Sequence, residues 1–396
     1  MIYLIVLILL LILSFRYDIN GKTIGRDQWY LAMLVVLIMI AGLRFRTTGD
    51  TMAYLYHFHH DYPDLLHIDL TRLDAFRHEP FWVLLNSSVK TLGGKFFVVQ
   101  LIQASIVNIL IFIYFKKHSS YPFICIFFYY ILAYHYFNMT VMRNAAAIAI
   151  CLFANDSLLE KKWKKAYLLY FVAVMFHYSS ALFMLIHPCL LFLRLNKIGL
   201  LLLFSMLIVG KVLQYYFEDL FALMEFNAVV SNKLDSYMEN GAFDTEDKNL
   251  NYFIFNLALP ITYIILSLYH VKKNHSQFDL LKLEPFVMIG LMFLMLRFNV
   301  GMLHRFSRAY EVYFILFYAQ FFMDMYRGKK VLSNAVSLVR TFVLFSPFLL
   351  FSIHTSVLDE RYSPYNTIIE RKIDKKRENS YIITRGNESV PRKDEY

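Results

Sequence analysis

The chain has 396 residues, 58% of them hydrophobic and 18% aromatic, with a formal net charge of +10. A soluble domain is typically about 45–50% apolar, and here the excess forms long apolar runs with a mean hydropathy of +0.46. The composition excludes an ordinary soluble enzyme and predicts an all-α polytopic membrane protein. The basic residues do not indicate nucleic-acid binding, because no soluble stretch is large enough for such a fold and basic loops first set membrane orientation.

Twelve apolar runs are predicted to cross the membrane. They lie at about 1–15, 29–43, 96–115, 121–137, 139–155, 163–176, 178–194, 198–217, 251–270, 283–299, 305–326 and 331–354. Several are shorter than the roughly 20 residues of a straight crossing, so tilted, kinked or broken helices are expected. Residues 80–94 are too polar and too short to span, and we predict a re-entrant or interfacial helix there.

Basic clusters in alternate connectors predict the sidedness of the chain. The clusters are Lys116-Lys117, Lys161-Lys162-Trp163-Lys164-Lys165, Arg194 with Lys197, Lys272-Lys273, and Arg327-Gly328-Lys329-Lys330. The positive-inside rule places all of them in the cytoplasm. Both termini, the loop from 44 to about 95 and the acidic loop from 218 to 250 are then expected on the outer face.

Two regions are predicted from the composition along the chain. Residues 1–354 form one transmembrane domain, and residues 355–396 form an extracytoplasmic tail of alternating charges with few aliphatic residues. The tail is expected to dock on the outer face to about residue 366, through Arg361-Tyr362-Ser363-Pro364-Tyr365-Asn366. The rest of it is expected to be disordered, because it has little apolar surface to bury.

The first dense polar cluster runs from Arg44 to Tyr54. Thr48 or Asp50 is suited to cap a helix that starts here, and Asp50 and Tyr54 would then share a face. Arginines beside a helix N-terminus favour an anion site. The alternative is an ordinary capped helix at the membrane interface with snorkelling arginines.

Two further polar groups lie in the same outer loop. His57, His59 and His60 with Asp61 do not match a familiar metal-ligand spacing, so no metal site is predicted. Glu79 stands directly before Pro80, where its carboxylate is a candidate helix cap, an ion-pair partner or a catalytic base.

Arg143 is the most informative residue, because it is a lone charge in an otherwise apolar helix. Such a charge costs roughly 2.5–3.5 kcal/mol on insertion scales. The alanines from Ala145 to Ala147 allow close helix packing, so Arg143 is expected to face protein. It is either a functional anion site or half of a buried ion pair.

Two further candidates are His177, between two apolar runs, and an arginine group around the turn at 299–301. His177 is either hydrogen-bonded structure or a donor, acid or base in a polar cavity. Arg297, His304, Arg305 and Arg308 surround the turn, and an ion pair with Glu311 is the alternative to substrate binding. Cys125, Cys151 and Cys189 lie in apolar runs and are expected to be buried hydrophobic residues.

The sequence lacks a Walker loop, a GxGxxG motif, a GxSxG elbow, an HExxH motif and a paired Asp-x-Asp motif. The energy for any transfer must then arrive in the substrate itself. Several arginines near the outer face favour a diphosphate, since guanidinium groups bind phosphate oxygens in pairs.

The chain resembles the EpsG family of Wzy-like polysaccharide polymerases in six pieces spread in order from about 1 to 366. These are Arg46-Thr47-Thr48-Gly49-Asp50-Thr51 with Tyr54, Glu79-Pro80-Phe81, Met142-Arg143-Asn144-Ala145 with Ala149, Phe176-His177-Tyr178-Ser179-Ser180, Arg305-Phe306 with Tyr310, and Tyr362-Ser363-Pro364-Tyr365. The resemblance implies a bacterial inner-membrane enzyme that joins glycan repeat units carried on a polyprenyl diphosphate. Trp82 matches the pattern only loosely. The loop from 218 to 250 matches no part of it and is a candidate for substrate choice.

The resemblance implies a metal-independent glycosyl transfer with an outward-facing site and no cofactor. Arg46, Arg143 and Arg305 would bind the leaving diphosphate, and Asp50, Glu79 and His177 would be the catalytic groups. Candidate glycan-binding residues are Tyr54, Tyr310 and Tyr362. The expected partners are the lipid-linked oligosaccharide and the bilayer, with flippase and chain-length regulator proteins as further candidates. The alternatives are a flippase of lipid-linked glycans, which would need polar residues at both leaflets, and a glycan ligase or acyltransferase.

Overall fold

The computed structural model describes residues 2–68, 78–216, 258–274, 278–297, 299–300, 303–327, 346, 349–350, 353–354 and 357–385. Within these ranges the regular structure is helical and no strand is present, apart from one isolated β-bridge between Arg44 and Thr367. The predicted all-α class is therefore confirmed for this part of the chain. The loop from 218 to 250 and nearly all of the run from 331 to 354 lie outside the described residues.

Among the described residues, nine helices lie in the first half of the chain. They are α1 (Ile2–Leu13), α2 (Arg26–Gly42), α3 (Gly49–His60), α4 (Pro80–Thr91), α5 (Phe96–His118), α6 (Pro122–Tyr129), α7 (Met142–Leu159), α8 (Trp163–Phe176) and α9 (Ser180–Cys189). Proline at the first position begins α4 and α6, where its missing N–H costs no helical hydrogen bond. Helix α6 continues into π-helical turns at Tyr130–Tyr134 and Tyr136–Thr140, which separate it from α7.

Seven more helices follow in the described residues. They are α10 (Lys197–Tyr215), α11 (Leu259–Asn274), α12 (Phe278–Leu281), α13 (Glu284–Leu296), α14 (His304–Arg308), α15 (Glu311–Arg327) and α16 (Lys375–Arg385). The predicted run from 305 to 326 is thus divided, because α14 ends at Arg308 and α15 begins at Glu311. Helix α16 lies in the part of the tail where the sequence analysis expects disorder. Tertiary contacts stabilise it, since Tyr381 is buried against Met52 and Ala53 of α3.

Three helical segments are long and apolar enough to cross a membrane, among those the structure describes. They are Ile2–Ile19, Phe96–His118 and Lys197–Tyr215. Shorter apolar helices occur at Pro122–Tyr134, Ser180–Cys189 and Glu284–Leu296. The number of about twelve crossings and their sidedness stay predictions.

The chain divides into two compact units that differ from the predicted division at residue 354. The first unit contains Met1–Pro188 and Leu349–Tyr396, and the second contains Cys189–Phe348. In the first unit α7 packs against α8 and α2 packs against α5. Helices α2 and α5 approach so closely at Gly42 that an added Cβ would lie 2.9 Å from the Cα of Leu101.

An apolar cluster in the first unit holds together α3, α4, α5 and the start of α7. Its buried members are Phe45, Leu55, Phe58, Tyr62, Trp82, Val83, Val89, Phe96, Val99 and Met142. Because α4 packs into this cluster, Glu79 at its start is directed towards Arg143 at the start of α7. Cys125 and Cys151 are buried as expected, but Cys189 is exposed on the described surface, so its predicted burial is wrong. It is the last residue of α9, where the helix ends.

Candidate active site

Glu79 joins three separate elements of the first unit. Its Oε1 accepts hydrogen bonds from the Nδ1 of His177 at 2.8 Å and from the backbone N–H of Tyr178 at 3.3 Å. Its Oε2 forms an ion pair with the NH1 of Arg143. The carboxylate is buried, and only 3% of its side chain is exposed. Glu79 occupies the N-cap position of α4, but its side chain makes no cap hydrogen bond. The cap interpretation is therefore wrong, because the carboxylate points to α7 and the α8–α9 turn instead.

Arg143 forms an ion pair, which is one of the two alternatives predicted for it from the sequence. Besides the Glu79 contact through NH1, its Nε donates to the hydroxyl of Tyr54 at 3.4 Å. Its guanidinium carbon lies 5.6 Å from the centre of the Tyr54 ring, within cation–π range. A guanidinium carries five N–H donors, so these two contacts leave further donors on NH2. The ion pair with Glu79 leaves 16% of the Arg143 side chain exposed.

The electrostatics of this group decide the ionisation state of Glu79. Burial opposes its ionisation, but the hydrogen bond from His177 and the charge of Arg143 outweigh that effect and lower its pKa to about 2. A general base works best when its pKa is near the working pH. Glu79 is consequently a weak base at neutral pH and a strong hydrogen-bond acceptor.

The ionised carboxylate also determines the tautomer of His177. A carboxylate only accepts hydrogen bonds, so the Nδ1 of His177 carries the proton in the 2.8 Å contact. In the neutral imidazole the Nε2 is then the acceptor. The side chain of His177 is 21% exposed, which allows a ligand to contact it. The carboxylate and imidazole together form an oriented pair of the kind used in general base catalysis.

Helix α3 forms one wall of the site. The Tyr54 ring lies 5.3 Å from that of the buried Trp82, so Tyr54 is engaged by Arg143 and Trp82. Thr48 caps α3 by accepting a hydrogen bond from the N–H of Thr51 at 3.2 Å. Asp50, the other predicted cap, lies half-buried in the first turn of α3. Thr48 therefore provides the cap of α3, and the catalytic role of Asp50 stays a prediction from the sequence.

The threonines of this segment also support Arg143. The hydroxyls of Thr48 and Thr51 both donate to the carbonyl of Met139, at 2.7 and 2.9 Å. Met139 lies in the π-helical turn that precedes α7. The start of α3 is thereby tied to the backbone from which Arg143 projects.

The contact of Lys90 with the end of α3 is not predicted by the sequence. The Nζ of Lys90, near the end of α4, donates to the carbonyl of Tyr62 at 2.7 Å and to those of Phe58 and His59 at 3.3 Å each. A cation at a helix C-terminus is favourable because the last carbonyls have no helical partner. Its signal in the sequence is weak, a single lysine in the polar segment from 80 to 94.

Two predicted substrate-binding residues take part in contacts between the tail and the rest of the first unit. Arg46 is 4% exposed and forms an ion pair with Glu378 of α16. Tyr362 is also buried, and its hydroxyl lies 3.1 Å from that of Thr140. Both residues belong to the first unit, as does the group around Glu79.

Arg305 and Tyr310 belong to the second unit. Arg305 is exposed on α14, whereas Tyr310 is buried and stacks on Phe293 with ring centres 5.9 Å apart. The predicted ion pair of this region is present between Arg308 and Glu311 at 2.5 Å. This arrangement places Tyr310 in the protein core instead of on a glycan-binding surface.

The histidines of α3 make local contacts. The Nδ1 of His57 lies 2.5 Å from the Oδ2 of Asp61, and the Nδ1 of His78 bonds to the hydroxyl of Tyr62. Within the described ranges, no group of three or more histidine, cysteine or acidic residues is placed to hold a metal ion.

Comparison with known proteins gives one finding. The sequence model of the EpsG family matches residues 28–367, which is most of the chain and includes every residue of the site. No match to the chain is found among curated proteins or among solved structures.

Proposed function

The chain belongs to the EpsG family of Wzy-like polysaccharide polymerases, and we propose that it polymerises oligosaccharide repeat units carried on polyprenyl diphosphate. Family membership suggests an exopolysaccharide-polymerase-like role in a membrane. The proposed location is the outer face of the bacterial inner membrane. The product is an exopolysaccharide, a capsule or an O-antigen.

The observation that carries this proposal is the group in which Glu79 holds Arg143 and His177. The arginine offers paired donors for phosphate oxygens, and the histidine offers an oriented acceptor for a hydroxyl proton. A transfer from a glycosyl diphosphate needs both functions at one place. Glu79 lies at the start of α4, Arg143 lies in α7, and His177 lies in the turn between α8 and α9.

The proposed reaction is a direct displacement. A sugar hydroxyl of one lipid-linked unit attacks the anomeric carbon of the other, and the Nε2 of His177 takes the hydroxyl proton. The bond from the anomeric carbon to the diphosphate oxygen breaks, and polyprenyl diphosphate leaves with the bonding electrons. One displacement of this kind inverts the anomeric centre.

Charge develops on the diphosphate as the bond breaks, so donors aimed at it stabilise the transition state. We assign this role to Arg143, with Arg46 as an additional ligand of the diphosphate. The contribution of Arg305, which belongs to the second unit, stays a prediction from the sequence. These arginines supply the positive charge that a metal ion supplies in other transferases, so the proposed reaction is metal-independent. Glu79 acts as a positioning residue for Arg143 and His177.

The test is incubation of the purified chain with a single lipid-linked repeat unit. A polymerase produces a ladder of longer lipid-linked glycans without another protein, and an Arg143→Ala variant produces none. A flippase would move the unit across vesicles without a ladder, and a ligase would require a second acceptor. Either of those results would replace the proposed function.

A further inference from the structure

The tail forms a continuous contact with the segment that carries Arg46. The N–H of Phe45 donates to the carbonyl of Asn366 at 2.8 Å, and the N–H of Ile368 donates to that of Leu43 at 3.0 Å. These bonds flank the β-bridge of Arg44 with Thr367. Residues 366–368 are therefore fixed beside Arg46, and the chain that follows leads directly into α16.

Helix α16 lies on α3 through one face. Glu378 in its first turn pairs with Arg46, and Tyr381, three residues later, is buried against Met52 and Ala53. Residues three apart share a helix face, so the charge and the aromatic anchor act together. The result is that Arg46 is 4% exposed, since a carboxylate of the protein itself covers it.

Apart from Glu378 and the largely buried side chain of Arg377, the residues at the start of α16 are exposed. Lys375, Lys376 and Asn379 are exposed. Arg377 donates to the carbonyl of Pro364 at 2.8 Å, and Lys376 pairs with Glu360, so these contacts fall within the tail itself. A helix of 11 residues is marginal without tertiary support. Loss of the Glu378 and Tyr381 contacts would consequently release it.

We propose that α16 is a displaceable internal competitor, in which the carboxylate of Glu378 occupies the position at Arg46 that a phosphate group of the substrate takes. Carboxylate and phosphate oxygens bind a guanidinium in the same planar geometry. A diphosphate brings more negative charge and more acceptor oxygens than one carboxylate. It therefore displaces Glu378, and α16 leaves α3. This inference rests on the proposed function for the identity of the competing anion.

The internal competitor α16 would keep the charge of Arg46 neutralised when no substrate is bound. A buried arginine without a counter-ion is costly, and Glu378 pairs with Arg46 in the resting protein. Binding of a lipid-linked diphosphate then exchanges one anionic partner of Arg46 for another. Release of α16 at the same step opens the surface of α3 above Met52.

The first experiment measures binding of inorganic pyrophosphate to the purified full-length chain by titration calorimetry. Glu378→Gln removes the competing charge, and it should tighten binding about tenfold, which corresponds to about 1.4 kcal/mol. Glu370→Gln removes an exposed carboxylate of the same tail and should leave the affinity unchanged. The double variant with Arg46→Gln should bind like Arg46→Gln alone. Unchanged or weaker binding by Glu378→Gln would overturn the proposal.

The second experiment follows α16 by limited trypsin digestion, with the C-terminal fragment measured by mass spectrometry. Pyrophosphate should raise the rate of cleavage after Arg377 about tenfold, since proteolysis follows the population of the open form. Glu378→Gln should be cleaved rapidly with or without pyrophosphate, and Glu370→Gln should behave like the wild type. A cleavage rate that does not respond to pyrophosphate in the wild type would also overturn the proposal.

The proposed polymerase function and the proposed competitor role of α16 can be refuted independently. A chain that yields no glycan ladder, but whose α16 is still released by pyrophosphate, contradicts the polymerase and supports the competitor. A chain that yields a ladder, but whose Glu378→Gln variant binds pyrophosphate as the wild type does, contradicts the competitor alone.

Discussion

Replacement of Glu79 by glutamine tests the central group of the site most directly. The change keeps the size of the side chain but removes the negative charge that binds Arg143 and His177. A folded-state pKa lowered from 4.5 to about 2 corresponds to about 3 kcal/mol of stabilisation at neutral pH, at about 1.4 kcal/mol per pKa unit. Loss of one partner from a buried ion pair typically costs about 3–5 kcal/mol. Both values predict a clearly less stable variant.

The pH dependence of this loss has a defined sign. Because the pKa of Glu79 is lowered in the folded state, its stabilisation is complete above the unfolded value of 4.5 and disappears as the pH falls towards about 2. The difference in thermal midpoint between wild type and Glu79→Gln should be largest at pH 7. It should shrink steadily below pH 4.5 when both proteins are scanned at one rate.

The rate of ladder formation in Glu79→Gln should fall by more than the loss of folded protein explains. Without the carboxylate the tautomer of His177 is no longer fixed, and general base catalysis is worth about 10²–10⁴-fold. The assay is the rate of glycan ladder formation per folded molecule in a fixed detergent.

The matched control for this variant is Glu284→Gln in the second unit. Glu284 is equally buried and pairs with Lys272. Its replacement should lower the midpoint without lowering the rate per folded molecule. A stable and active Glu79→Gln variant would refute the proposed role, and so would an equal loss of rate in Glu284→Gln.

Four other variants separate the remaining roles. Arg143→Lys keeps the charge beside Glu79 but loses the guanidinium fork, so it should accumulate in the membrane and fail to polymerise; an active lysine variant would leave only a structural pair. His177→Gln should lose turnover about 10²–10⁴-fold while Asp50→Asn retains it, measured by ladder formation, and the reverse result would make Asp50 the base. Lys90→Met removes the cation that binds the carbonyls of Phe58 and His59 in α3 and of Tyr62 just after it. It should lower the free energy of unfolding by about 1–3 kcal/mol, seen as a lower thermal midpoint, and an unchanged midpoint would show that Lys90 does not hold α3.

Much of the candidate site could be predicted from the sequence because its residues are charged or polar and lie within or beside apolar helical segments. Arg143 stands alone in an apolar helix, and Glu79 stands beside a helix-starting proline. His177 interrupts two apolar runs. A charge or a histidine in such a place needs a partner or a ligand, so each could be selected without coordinates. Their mutual contacts could not, since 98 residues separate Glu79 from His177.

The sequence by itself determined the helical class and the family, and it predicted candidate residues for the site, because hydropathy, proline positions and isolated charges are local properties of the chain. Only the tertiary structure decided which contacts those residues make. The packing of α4 against α3 and α7 turned Glu79 from a helix cap into the acceptor for Arg143 and His177, and so lowered its pKa. The structure of the tail also could not be predicted from the local sequence. Residues 375–385 have the composition of a disordered segment, yet Glu378 and Tyr381 find partners in Arg46 and α3. Such long-range contacts supply the stabilisation that the local sequence lacks.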